Sequence, residues 1–227
     1  MEEIRLIDIK EEILSDNRGL ADRLREKLSQ KKVFFLNVMG SPGAGKTSLI
    51  LKTIESMSHR YRIAVIEADL DSLVDSEKVA SLGITAVQIR TGGFCHVDAN
   101  MVEKAIESLP LENLDLVILE NVGNLVCPAE TDTGAFKNIV ILSVPEGDDK
   151  PLKYPLIFTV CNALVINKLD YLEIADFDLD NVHKRVQVLN EGIQLFPLSC
   201  KTSHGIKNWI KWLEQEILNF QSSPEWM

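Results

Sequence analysis

Long apolar runs are missing from this chain. No unbroken apolar stretch exceeds four residues, and a helix that crosses a bilayer needs about 20, so no membrane span is expected. Basic charge is also scarce. The 24 Lys and Arg are outnumbered by 34 Asp and Glu, for a formal net charge of −10. A surface held by the phosphates of nucleic acid needs clustered basic side chains, so no nucleic-acid partner is expected. Cysteine is sparse, with four in 227 residues, too few for a disulfide scaffold. Met1–Lys10 carries acids and lacks the apolar core of an export signal. The expectation is a cytoplasmic protein with reduced thiols, in which a functional cysteine binds metal rather than cross-links. Internal repeats, low-complexity tracts and Gly/Ser linkers are absent as well, and a single domain over 1–227 is expected.

What is present suffices for a sizeable core: 45% of residues are apolar and 26% charged. Short β-rich runs recur at Val33–Met39, Arg62–Glu67, Thr85–Arg90, Asp115–Glu120, Asn138–Val144, Ala163–Asn167 and Ile193–Leu198. They are continuously apolar rather than alternating, the pattern of strands covered on both faces. Helix-like segments lie between most of them, at Thr47–Ser58, Asp98–Leu109 and His204–Phe220. In the last, Ile206, Trp209, Ile210, Leu213 and Ile217 share one face. Such alternation predicts right-handed βαβ units: an α/β, doubly wound, mostly parallel sheet of about seven strands flanked by helices. Leu20, Leu24 and Leu28 mark an extra helix within an N-terminal extension, 1–30, and 221–227 reads as a frayed tail. Ligands of such folds sit at the carboxyl ends of the strands.

Directly after the first strand stands Gly40-Ser41-Pro42-Gly43-Ala44-Gly45-Lys46-Thr47, followed by Ser48. It fits G-x-x-x-x-G-K-[ST] without mismatch, so the expected architecture is that of a P-loop NTPase. The glycines let backbone N–H groups converge on phosphate oxygens, and the following helix adds its positive end. Lys46 is expected to neutralise the β- and γ-phosphates, and the Thr47 hydroxyl to ligate Mg²⁺. The sixth strand ends in Asn167-Lys168-Leu169-Asp170, of the N-K-x-D form that selects guanine. The Asp170 carboxylate can accept two hydrogens from the guanine edge, which adenine lacks, and an unpaired carboxylate rejects ATP. Lys168 is expected along the base, and Ser199-Cys200-Lys201 to offer N–H groups to the base oxygen.

Acids supply the remaining chemistry. Asp69, Asp71 and Asp75 follow the second strand, and Glu120 closes the fourth. Each can hold Mg²⁺, directly or through water, or orient the attacking water; solvated loop acids are the alternative. Gly123, in Glu120-Asn121-Val122-Gly123, can offer its N–H to the γ-phosphate. Cys95-His96 follows the third strand and Cys127 the fourth, so both loops should emerge at one sheet edge. Two thiolates and an imidazole suit Ni²⁺ or Zn²⁺ rather than Mg²⁺. Spacing alone leaves simple buried thiols as the alternative. Cys161 reads as core, Cys200 as structural, and His183 and His204 as solvated or capping.

Three motifs narrow the choice: Thr91-Gly92-Gly93-Phe94-Cys95-His96-Val97-Asp98-Ala99, Glu120 through Cys127-Pro128, and Glu146 through Lys153-Tyr154-Pro155. Together with the phosphate loop they resemble the hydrogenase nickel-incorporation GTPases, over about Ile9 to Trp212. The resemblance implies a GTPase that dimerises on GTP, with Cys95, His96 and Cys127 of two subunits binding metal at the interface; hydrolysis should be slow, since no arginine finger is identifiable and a switch must persist. It also implies Lys153 reaching the partner's nucleotide, and as partners a hydrogenase large subunit and a second nickel-maturation protein. Many bacterial members begin with Cys-rich and His-rich stretches. Neither stands before Cys95, so nickel storage is not expected. The urease accessory GTPases are a close neighbour, and a P-loop small-molecule kinase is a further alternative that N-K-x-D argues against.

Overall fold

The computed structural model describes residues 9–69, 79 and 82–223, with residues 9–15 and Asp69 described by backbone alone. Seven strands form one sheet: β1 Phe34–Gly40, β2 Ile63–Asp69, β3 Thr85–Arg90, β4 Leu116–Glu120, β5 Lys137–Ser143, β6 Ala163–Asn167 and β7 Gln194–Pro197. Their order is β3-β2-β4-β1-β5-β6-β7, and every pairing is parallel. The apolar runs are continuous because helices cover both faces, so every residue of β1, β4 and β6 is buried.

Alternate residues of β1 serve the two layers. Phe34, Leu36 and Val38 face helix α2 (Lys46–Met57) and the C-terminal helix Ile206–Ser222, packing with Leu49, Ile54, Trp209 and Leu213. Phe35 faces α1 (Ile9–Gln30) and the helix Ala99–Glu107, packing with Leu24, Leu28, Val102 and Ile106. Pro155–Val160 and Leu179–Leu189, two helices that the periodicity did not delimit, cover β5 and β6 with Phe158, Val182 and Val186.

The expected frayed tail is corrected in part. The last helix runs through Gln221 and Ser222, because Phe220 is anchored against Phe34 and Phe136, with ring centroids 5.5 and 4.4 Å away. Residues 224–227 and 1–8 lie outside the described residues.

One buried hydrogen bond ties the phosphate-loop helix to the C-terminal helix. Trp209 Nε1 donates to Thr53 Oγ1 at 2.9 Å, and Thr53 Oγ1 donates to the Leu49 carbonyl at 2.8 Å. Thr53→Val keeps the shape and strands the indole N–H, so unfolding free energy in a denaturant titration should fall by about 1–3 kcal/mol. An unchanged midpoint would show that this bond contributes nothing.

Parallel pairing brings every strand's carboxyl end to one edge. Gly40, Glu120 and Asn167 therefore meet there, as do the loops that carry Cys95 and Ser199.

Candidate functional site

The loop after β1 folds as a cup. A Cβ on Gly40 would lie 2.7 Å from the Ile141 carbonyl oxygen, and one on Gly45 would run into the Asn167 amide, so both positions require glycine. Gly45, with φ 104°, precedes α2, whose first turn carries neither a side-chain cap nor an acid. That leaves the positive helix end open to an anion. Lys46 folds back over the cup, 8% exposed, with Nζ 3.4 Å from the Gly40 carbonyl and 3.3 Å from that of Ser41. A cleft of about 810 Å³ opens here, floored by Gly43, Gly45, Lys46, Thr47 and Ser48. Gly40, Ser41 and Ala44 stand behind that floor, Ala44 being fully buried.

At the far end of the cleft stand Asn167, Lys168, Asp170, Cys200 and Lys201. Asn167 holds the parts together. Its Nδ2 donates to the Ala44 carbonyl at 3.0 Å, and its Oδ1 accepts from Lys168 N at 2.7 Å and Cys200 N at 3.1 Å. Lys168 sits at φ 62° and donates from Nζ to the Gly43 carbonyl at 2.7 Å, spanning the groove. Ser199, buried, donates from Oγ to Asp170 Oδ1 at 2.6 Å, while Lys201 Nζ lies 3.7 Å from Oδ2. The Ser199 hydroxyl above all, and the Lys201 charge less, hold the Asp170 carboxyl below the ordinary carboxylate range. At neutral pH Asp170 is therefore an acceptor.

On the opposite wall, Thr47 Oγ1 donates to Glu120 Oε1 at 2.9 Å. Gly123 lies flush on the phosphate loop, where an added Cβ would come within 2.8 Å of Pro42 Cγ. Glu67, which the sequence reading passed over, is buried in β2 directly beside Glu120 in register and lines the same cleft. Its signal was an acid closing the apolar run Arg62–Glu67; only strand register shows its neighbour. Asp69 ends β2 next to Arg90, but its side chain, with Asp71 and Asp75, lies outside the described residues.

The soft ligands do come together. Cys95 Sγ lies 2.6 Å from Cys127 Sγ and 3.9 Å from His96 Nδ1, and one ligand atom from each of the three residues falls within 4.8 Å of the others. Two sulfurs and an imidazole match the preference of Ni²⁺ and Zn²⁺. Cys95 is exposed, and its hydrogen bond to the Cys127 sulfur is the main cause that raises its thiol above the ordinary value. The remaining thiols are core. Burial lifts Cys161 to about 12 and Cys200 to about 11, so neither is a ready thiolate. His183 and His204 are exposed. Lys153 stands outside the cleft, 2.5 Å from Asp149 in an exposed ion pair of little energetic weight.

Fold, glycine cup and bare helix end define a P-loop nucleotide-binding protein, and residues 34–197 match the CobW/HypB/UreG, nucleotide-binding domain family. The chain is 36% identical over 216 residues to hydrogenase maturation factor HypB of Escherichia coli (strain K12), covering 95% of this chain and 74% of that protein. It is 38% identical over 222 residues to hydrogenase/urease maturation factor HypB of Helicobacter pylori (strain J99), covering 96% and 91%. The crystal structure of HypB from Helicobacter pylori in complex with nickel superposes with a TM-score of 0.86 at 36% identity, over 92% of this chain and 98% of that one. The chain belongs to the HypB family of hydrogenase maturation GTPases. Among the described residues no helix is long and apolar enough to cross a membrane.

Proposed function

We propose that this protein hydrolyses GTP slowly to GDP and phosphate and uses the nucleotide to govern capture and release of nickel destined for a [NiFe] hydrogenase. The observation that carries this reading is the placing of Cys95, His96 and Cys127 on the strand edge that bears the phosphate cup. Nickel is the cargo here, with Zn²⁺ an accepted substitute for the same donors.

Each residue has a part. Lys46 and the N–H groups of Gly43, Gly45, Thr47 and Ser48 hold the phosphates. The Thr47 hydroxyl and Glu120 carboxylate are hard oxygen donors side by side at the cup's mouth, a set that fits Mg²⁺. Mg²⁺ supplies charge neutralisation on the β- and γ-phosphates. Gly123 N–H receives the γ-phosphate, and Asp69, Asp75 or Glu120 orients the attacking water. Asp170 reads the guanine edge, with Ser199 and Asn167 setting its position.

The open three-ligand cluster is completed when a second subunit docks on GTP, so the active form is a homodimer, with Lys153 free of Asp149 to reach the partner's nucleotide. A hydrogenase large subunit and a second nickel-maturation protein complete the route in the cytoplasm. The combined hydrogenase/urease name of the Helicobacter relative supports a second reading, in which the same cargo goes to urease.

The test is base selectivity read beside nickel titration. Asp170→Asn should weaken GTP by about 10–150-fold, the loss of one charge-assisted pair worth roughly 1.5–3 kcal/mol, and should improve xanthosine triphosphate. Nickel should bind the wild type at a stoichiometric thiolate site. Equal affinity for ATP and GTP, or no nickel uptake, overturns the proposal.

A further inference from the structure

One residue joins the two sites, by its backbone on one side and its side chain on the other. Asn124 N donates to the Gly40 carbonyl at 3.1 Å, an isolated antiparallel bridge onto the first residue of the phosphate loop. Lys46 Nζ approaches that same carbonyl. From this anchor the side chain turns outward. Its Nδ2 donates to the Cys95 carbonyl at 3.2 Å, and its Oδ1 accepts from Val126 N at 2.9 Å. Val126 caps the short helix that begins at Cys127. A single residue thus joins the phosphate cup to the backbone of both thiol-bearing loops.

We propose that Asn124 is the positioning residue through which phosphate occupancy sets the spacing of the Cys95 and Cys127 ligands. This rests on the nucleotide-and-nickel reading above. An amide suits both contacts. The Cys95 carbonyl needs a donor and the Val126 N–H needs an acceptor, and the Asn124 head offers both from one planar group. Displacing Gly40 or Pro42 as phosphates enter the cup shifts Asn124 through its backbone and through Gly123, which touches Pro42. The side chain then carries Cys95 and Cys127 by their backbones. A residue that merely stapled the loop would stabilise both nucleotide states equally.

Asn124→Asp keeps the acceptor for Val126 N and removes the donor to Cys95, so it cuts one arm and spares the turn. The experiment measures Ni²⁺ affinity of the full chain by competition with a coloured chelator, in GDP and in a non-hydrolysable GTP analogue. Wild-type affinities should differ between the two states by about 5–150-fold, the usual range of site–site coupling. In Asn124→Asp the ratio should collapse to within about twofold of one. Nucleotide affinities should stay near wild type, because the side chain contacts neither cup nor base, and the nickel–thiolate charge-transfer absorption should persist. Asn124→Ala, which removes both side-chain bonds, carries the same test if Asn124→Asp melts early. A variant that keeps the wild-type ratio, or loses affinity equally in both states, overturns the assignment. A wild-type ratio of one overturns the parent reading itself, a result distinct from failure of Asn124 alone.

Discussion

Lys46→Ala is expected to lower single-turnover GTP hydrolysis by about 100- to 1,000-fold, the usual effect of removing one preorganised donor to a developing charge. The ammonium lies within the cup, 3.3–3.4 Å from two loop carbonyls, where phosphate oxygens would displace those weak contacts. The fold should survive. Gly40's carbonyl keeps its bond from Asn124 N, and the partly exposed Ser41 can turn to water. Phosphate release should therefore collapse while the melting temperature moves by only a few degrees. Turnover retained by the variant would remove the cup from the mechanism.

Cys127→Ser should weaken nickel binding by about 100-fold or more, beyond the 10–100-fold typical of losing a ligand's outer partner. A hydroxyl is a hard, protonated donor, poorly matched to a site built from sulfur and imidazole. GTP affinity should be unaffected, because Cys127 is not among the residues lining the nucleotide cleft. Both thiols shed protons on binding, so wild-type affinity should also fall with acidification. Equilibrium titration of both proteins reads all three quantities. Wild-type nickel affinity in the serine variant would mean that the metal sits elsewhere.

Much of the architecture could be read from residue pattern. Runs such as Leu116–Leu119 are apolar throughout because helices press on both faces, and this distinguishes a parallel sheet from a half-exposed one. The cup announced itself through Gly40, Gly45 and Lys46, since close backbone approach leaves no room for other residues. Relationships between distant segments were hidden. Glu67 reads as the polar end of a strand until the register sets it beside Glu120. Asn167, which opens the N-K-x-D motif, spends both ends of its amide holding Ala44, Lys168 and Cys200 in place. Asn124 looks like an ordinary loop residue, because its partners at Gly40, Cys95 and Val126 become neighbours only once the chain has folded. Gln221 and Ser222 carry no apolar signal, and the packing of Phe220 extends the helix over them.

The two halves of the thiol cluster are rooted at different depths. Cys127 follows β4, an interior strand whose every residue is buried, whereas Cys95 follows β3, which ends the sheet and has no fully buried residue. Edge strands open locally more readily than central ones. An ion held by both loops, as proposed above, would clasp a yielding margin to a rigid centre, and on adding nickel amide exchange should slow along Thr85–Arg90 more than along Leu116–Glu120.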